Sequence, residues 1–273
     1  MGKLREIELI LLAAMALTLL DALLIEPNVY VINEIEIRIP GIDTRLSELT
    51  VIQISDLHLH DFGIREKWII RTINNLNADL IVVTGDLIDK REAADYAIRF
   101  ISELRAKIGI FIIFGNWDHW SGINITEFKK KLEATGATVL VNEHVEIEFN
   151  NTWFYLIGVD DPHIGLDDLE TAMPKMNSRL KILLAHSPEI IDKAASAGIH
   201  LVLCGHTHGG QVVIPLLGPL FLPVRPEYRK YSSGLFRVDN TYLYVNRGLG
   251  TSILPIRFLC PPEITVVKII RGE

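Results

Sequence analysis

Four histidines, three aspartates and one asparagine fall into five short clusters along this 273-residue chain: Asp56-Leu57-His58, Gly85-Asp86, Gly115-Asn116 followed by Asp118, Ala185-His186, and Gly205-His206-Thr207-His208. Carboxylate, carboxamide and imidazole groups suit a divalent ion of intermediate hardness such as Mn, Fe or Zn. Neither Cys204 nor Cys260 lies among them, which argues against a structural thiolate zinc site. Eight candidates exceed the needs of one tetrahedral ion, but they fit two ions if one carboxylate bridges. Two ions ~3.5–4 Å apart can polarise a phosphoryl oxygen and supply hydroxide at neutral pH. Bound water ionises far more readily than bulk water, so no serine or cysteine nucleophile is required. The residue types and their grouping predict a two-metal hydrolase.

Something must bring these clusters together. Each follows an apolar run, at 49–54, 80–84, 109–114, 180–184 and 200–204. Short continuous runs rich in Ile, Val and Leu read as strands buried on both faces. Helical patterns at 64–76, 93–104 and 126–134 separate several of them, the last closed by Gly136 as a C-terminal cap. In open α/β sheets ligands bind beyond the carboxyl ends of the strands, so side chains distant in sequence can share one crevice. A strand is predicted at 29–39, turned by Pro40-Gly41, and another at 264–270. Hairpins are predicted at 145–159 through Asn150-Asn151 and at 235–245 through Asp239-Asn240. Ser187-Pro188-Glu189 reads as a capping hydroxyl and a first-turn proline, placing His186 just before a helix.

The order D-x-H, G-D, G-N, H and G-H-x-H over about 51–211 resembles the calcineurin-like metallophosphoesterases. The tail, with Tyr231-Ser232-Ser233-Gly234 and Asn246-Arg247-Gly248-Leu249-Gly250-Thr251-Ser252, is similar to the membrane-linked YaeI/YkuE-like group within them. The resemblance implies a four-layer α/β/β/α sandwich. It also implies that Asp56, His58 and His208 hold a first metal and Asn116, His186 and His206 a second, with Asp86 bridging. A hydroxide shared by both ions would be the nucleophile. Asp118 is expected to orient a neighbouring group rather than bind metal. One position departs from the family pattern: Trp117 stands where a histidine usually follows the asparagine and assists the leaving group. His119 is the candidate to take over that work.

Other residues have plainer expectations. Asp89 reads as a helix N-terminal carboxylate before Lys90-Arg91-Glu92. His60, His144, His163 and His200 read as surface or partly buried residues, and Asp160-Asp161-Pro162-His163 as a turn rather than the rim of a crevice. Arg225, Arg229, Lys230, Arg247 and Arg257 could include phosphate contacts, although most read as surface charges.

The chain suits one large domain with a small appendage. A net charge of −7 argues against nonspecific nucleic-acid binding, which needs a basic surface to release counterions. Residues 7–25 contain only Glu8 and Asp21 as charges, near the ~20 apolar residues that a membrane span needs. An anchor over 1–26, preceding a catalytic domain over 27–273, is favoured over a cleaved signal and a buried helix. With Lys3 and Arg5 inside, the catalytic domain faces outward. The apolar, proline-rich stretch 212–224 excludes a regular helix or central strand. A loop packed on the core is the favoured reading of it, and an apolar lip touching membrane or an acyl chain the sharper one. The predicted activity is cleavage of a phosphodiester or pyrophosphate bond, with an amphiphilic or lipid-linked phosphate as the preferred substrate. A metal-binding scaffold without turnover, a nuclease and a protein phosphatase are the alternatives.

Overall fold

The computed structural model describes residues 2–46, 48–175 and 179–272. Its strands in chain order are β1 (Val31–Pro40), β2 (Leu49–Ile54), β3 (Leu80–Thr84), β4 (Gly109–Ile113), β5 (Thr138–Val139), β6 (Glu143–Phe149) and β7 (Thr152–Gly158). They continue with β8 (Lys181–Leu184), β9 (Leu201–Cys204), β10 (Val213–Ile214), β11 (Gly218–Pro219), β12 (Gly234–Val238), β13 (Thr241–Val245) and β14 (Glu263–Gly272). The helices are α1 (Gly2–Leu20), α2 (Ile64–Asn75), α3 (Ala94–Glu103), α4 (Asn116–Trp120), α5 (Ile125–Glu133), α6 (Leu169–Ala172) and α7 (Ile191–Ser196).

Two six-stranded sheets result, ordered β1-β14-β2-β3-β4-β5 and β12-β13-β9-β8-β7-β6. Strands β2 to β5 run parallel in the first sheet, and β7, β8, β9 and β13 in the second. Successive side chains on a strand point to opposite faces, which explains why the runs are apolar throughout rather than alternating. Val51, Leu80 and Val82 point between the sheets and meet Leu156, Ile182 and Leu203 from the facing sheet. Their neighbours Ile52, Ile81 and Val83 point outward, onto Ile69 and Ile73 of α2, Phe100 of α3 and Phe128 of α5. On the far side, Ile157, Leu183 and Val202 pack with Leu169 of α6 and Ile191 of α7. Three apolar interlayers between four layers make the expected α/β/β/α sandwich. Each fully buried Leu, Ile, Val or Phe contributes about 1.5–3 kcal/mol of transfer free energy.

The predicted hairpins form. Asn150 and Asn151 both take positive φ, at 50° and 58°, as the two central residues of a type I′ turn require. Pro40, expected in a turn, is instead the last residue of β1, and the turn falls on Gly41. Among the described residues that sheet edge has no further partner strand to need the missing N–H.

Helix α1 continues through a wider turn at Asp21–Ile25 and a short tight turn at Glu26–Asn28. Its apolar side chains stand exposed, and Arg5–Asn28 is long and apolar enough to cross a membrane, with a mean hydropathy of 2.3. The base of the helix is fastened to the sandwich. Arg257 N donates to Ala22 O at 2.9 Å, and the Glu26 carboxylate accepts from the backbone N–H of Leu259 and Cys260.

Stretch 212–224 behaves as neither expectation alone. Leu222 and Val224 join the outer core of the second sheet, whereas β10 and β11 form a separate two-stranded hairpin whose tip, Leu216 and Leu217, is exposed.

Candidate metal centre

Strands β2, β3, β8 and β9 end at the same edge of the sandwich, and the next residues carry Asp56 and His58, Asp86, His186, and His206 and His208. Asn116 opens α4 just beyond β4. Asp56, His58, Asp86, His206 and His208 all have positive φ, between 42° and 69°. A non-glycine residue held there costs on the order of 1–3 kcal/mol, and concentrating five such residues on one cleft marks it as the strained part of the fold. Two glycines permit the close approach. A Cβ on Gly115 would strike the Asp86 carboxylate and the His186 ring, and one on Gly205 would strike Ser55 and the Asp56 carboxylate.

Two groups of possible ligand atoms assemble: Asp56, His58 and His208, and beside them Asp86, His186 and His206, all buried. Between the groups, His58 Nε2 lies 3.7 Å from Asp86 Oδ2. Within them, His208 Nε2 is 3.3 Å from Asp56 Oδ1 and His186 Nε2 is 3.1 Å from Asp86 Oδ2.

The histidine orientations test whether cations fit. His186 Nδ1 meets Thr84 O at 2.8 Å, and His206 Nε2 meets Pro223 O at 2.8 Å. A carbonyl can only accept, so those nitrogens carry the protons and the opposite nitrogens present lone pairs to the cleft. His58 Nδ1 is likewise held by the Asp89 carboxylate. Nitrogens then face one another, His58 Nε2 against His208 Nε2 at 3.1 Å and His206 Nδ1 against His186 Nε2 at 3.2 Å. Buried Asn116 Oδ1 has no hydrogen-bond partner among the described residues. Facing lone pairs and an orphaned carboxamide oxygen fit divalent cations between them.

The electrostatics divide the site. Burial pushes the Asp86 carboxyl up, but His186, His58 and His206 more than offset it and hold it at about 2. Burial pushes His206 down to about 3, with His186 and His163 adding to the effect, and pushes His208 well below the usual imidazole range. Burial lowers His58 and His186 as well, but Asp89 beside the first and Asp86 beside the second outweigh it and raise both, so His206 and His208 already stand as the neutral imidazoles that bind metal while an ion would displace protons from the other two.

The other predicted residues sort as follows. Asp118 Oδ1 accepts from Leu87 N (2.9 Å) and Ile88 N (3.2 Å), and Oδ2 accepts from Gly115 N (3.0 Å). It thus ties the loop carrying Asp86 to the turn carrying Asn116. Burial, with Asp86 nearby, pushes this carboxyl up to about 7. His119 Nε2 is bonded to Asp160 Oδ1 at 2.7 Å, and its ring sits edge-on to Phe114. Trp117 donates its backbone N–H to Asp86 Oδ1 at 2.8 Å and sets its indole edge-on to His58.

Beside the two groups lies a cleft of about 150 Å³, lined by Trp117, Trp120, Phe221 and Ile253 together with Asp86, Asn116, His206 and His208. His163 lines it too, and its ring centroid is 4.4 Å from that of His206. The Asp160–His163 turn is therefore also a wall of the crevice. Glu189 holds His163 Nδ1 at 3.1 Å, and the described residues offer no hydrogen bond to its other nitrogen. The sequence signal was present, because His163 follows the end of β7 as the ligands follow their strands. Asp89 has a further part: it stands just ahead of the helical turn Arg91–Ala93, and its carboxylate buttresses His58. Of the basic residues, Arg257 is fully buried, with its guanidinium spent on the carbonyls of Arg247, Gly248, Gly250 and Cys260. Arg247 pairs with Glu263, and Arg225 with Glu189.

Two facing sheets with paired His/Asp groups at their shared carboxyl edge define a metallophosphoesterase-type hydrolase. Residues 49–210 match the calcineurin-like phosphoesterase family, and the chain belongs to it. It is 36% identical over 249 residues to the metallophosphoesterase YkuE of Bacillus subtilis, covering 89% of this chain and 86% of that one. It is 33% identical over 199 residues to phosphodiesterase YaeI of Escherichia coli, covering 70% of each. A transmembrane protein with a metallophosphoesterase domain from Danio rerio is 30% identical over 250 residues, covering 85% of this chain and 55% of that protein. The chain is a hydrolase of phosphoric esters in a metal-dependent family.

Proposed function

We propose that this chain is a membrane-anchored phosphohydrolase cleaving a phosphodiester or pyrophosphate bond, with an amphiphilic or lipid-linked phosphate as its substrate. The observation that carries the hydrolytic part is the pair of adjoining His/Asp groups, in which His58, His186 and His206 have their outward nitrogens fixed by carboxylate and carbonyl acceptors. In this reading Asp56, His58 and His208 hold one divalent ion, Asn116, His186 and His206 a second, and Asp86 serves both; Mn, Fe or Zn suits such donors. When bound, two such ions withdraw charge from the phosphoryl oxygens and make hydroxide available at neutral pH.

The chain's own residues do the rest. Thr84, Asp89 and Pro223 keep the ligand rings turned inward, and Asp118 locks the Asp86 and Asn116 loops together. Trp117 and Trp120 exclude water from one wall. His163, steadied by Glu189, donates a hydrogen bond to the departing oxygen, the work for which Trp117 has no titrating group. His119, engaged by Asp160, steadies that same turn rather than touching substrate. The anchor comprises 1–26 and the catalytic domain 27–273. The basic end of the helix stays inside, so the catalytic domain lies on the outer side.

The test is hydrolysis of a chromogenic diester and its matching monoester by metal-stripped protein resupplied with Mn, Fe or Zn. Metal-dependent turnover favouring the diester is expected. Two bound ions with no turnover of either ester would replace this reading with that of a metal-binding scaffold.

A further inference from the structure

Soluble proteins rarely expose large contiguous apolar patches, and one that does marks an interaction surface. Here six large apolar side chains stand open on two segments, two members of which also line the metal cleft: Leu216 (106% exposed), Leu217 (79%), Leu220 (63%), Phe221 (62%), Ile253 (79%) and Leu254 (61%). They come from two segments bound to each other. Gln211 Nε2 donates to Ser252 O at 3.0 Å, Ser252 N donates back to Gln211 Oε1 at 2.7 Å, and Val213 N donates to Phe258 O at 2.9 Å.

The same 257–260 segment grips the base of α1 through Ala22 and Glu26. The exposed patch is therefore continuous, bond by bond, with the point where the apolar helix leaves the domain. Beyond the helix base, Val29, Ile64 and Trp68 are exposed as well. Phe221 and Ile253 belong both to the patch and to the cleft wall, so the apolar surface reaches the site.

We infer that the β10–β11 hairpin tip and the 252–259 loop form a second membrane-contact surface, seated in the acyl boundary of the leaflet from which α1 emerges, with the metal cleft opening onto that leaflet. The occupant is a lipid monolayer rather than a protein partner, because the patch begins where the helix exits. The inference rests on the proposed reading of α1 as a membrane span. It deepens the substrate class: an amphiphile's phosphate reaches the ligands between Phe221 and Ile253 while its apolar part remains among the lipids. A soluble ester gains nothing from this arrangement.

The test uses the full-length chain reconstituted in phosphatidylcholine vesicles, spin-labelled at single sites. Leu217→Cys and Leu254→Cys report the patch, Leu12→Cys the helix, and Asn150→Cys the far end of β7. Native Cys204 and Cys260 are buried, at 0% and 2% exposure, and do not compete for label. The readout is collision with oxygen, enriched in lipid, against a water-soluble nickel chelate. Labels at 12, 217 and 254 in lipid with the label at 150 in water support the inference. A label at 12 in lipid with those at 217 and 254 in water overturns it while leaving the anchor standing. All four in water overturn both.

Discussion

Replacing Asp118 with Asn changes one atom of a side chain that holds two site loops in register. The carboxylate accepts three backbone N–H groups, from Leu87, Ile88 and Gly115, at 2.9, 3.2 and 3.0 Å. With its amide oxygen in the Oδ1 position, Asn keeps the first two bonds but turns an NH2 toward Gly115 N–H, donor against donor. A buried N–H left without an acceptor costs about 1–3 kcal/mol, and the retained bonds weaken because their acceptor is no longer charged, for a total of about 3 kcal/mol. For a chain of this size that loss lowers the unfolding midpoint by roughly 6–12 °C. The loosened Gly115 turn carries Asn116, the proposed ligand, and losing an outer support of a ligand typically weakens metal binding by about 10–100-fold. The assay is thermal unfolding of the Mn-loaded chain with calorimetric Mn titration, both at pH 8: burial and Asp86 push this carboxyl up to about 7, which costs the metal-free fold stability once the group ionises, and bound cations would offset that cost. The expected outcome is a lower midpoint and weaker binding, with two ions still bound at saturation. An unchanged midpoint and affinity would refute the bonding argument. Loss of one ion at saturation would make Asp118 a ligand instead.

Three further outcomes follow from particular contacts. His163→Ala should slow hydrolysis of an alkyl diester by about 100-fold while sparing a nitrophenyl diester, whose leaving group needs no help; equal losses on both would remove His163 from the leaving side. Burial pushes the Glu189 carboxyl up, but His163 and Arg225 overcome it and hold the group at about 2, below its ordinary 4.5. A depressed carboxyl stabilises the fold above 4.5 and loses that stabilisation as pH falls toward 2, so the advantage of wild type over Glu189→Gln should shrink from at most about 3 kcal/mol at pH 6 to near zero at pH 2; denaturation of both proteins at the two pH values checks the sign. Deleting residues 2–20 spares Ala22 and Glu26 and their bonds to Arg257, Leu259 and Cys260, so hydrolysis of a small soluble diester should be unchanged, and a large fall would show that α1 supports the site itself.

The parts legible in the sequence are those governed by local pattern. Strand β2 begins and ends at the predicted residues, and β3 does too, because an Ile/Val-rich run ended by a tight turn into Asp is a local signal. Ser187 accepts from Glu189 N as a capping residue, and Asn150-Asn151 carries its own turn geometry. The unread parts depend on where loops pass in space. Asp89 has the sequence look of a helix-opening carboxylate, yet the path of its loop brings it to His58. His163 follows a strand as the ligands do, but only the crossing of 222–225 behind it supplies Arg225 to Glu189 and encloses the cleft. For 212–224 composition excluded a regular helix and a central strand correctly, whereas the division between buried Leu222 and exposed Leu216 depends on a four-residue pairing that prolines obscure.

The central claim is that the two His/Asp groups hold adjacent ions with Asp86 shared between them. Electron paramagnetic resonance of the Mn-loaded chain tests it most directly. Two ions ~3.5–4 Å apart give the spectrum of an exchange-coupled pair, which should collapse to that of isolated Mn in Asp86→Asn. A mononuclear spectrum at full loading of the wild-type chain would contradict the claim.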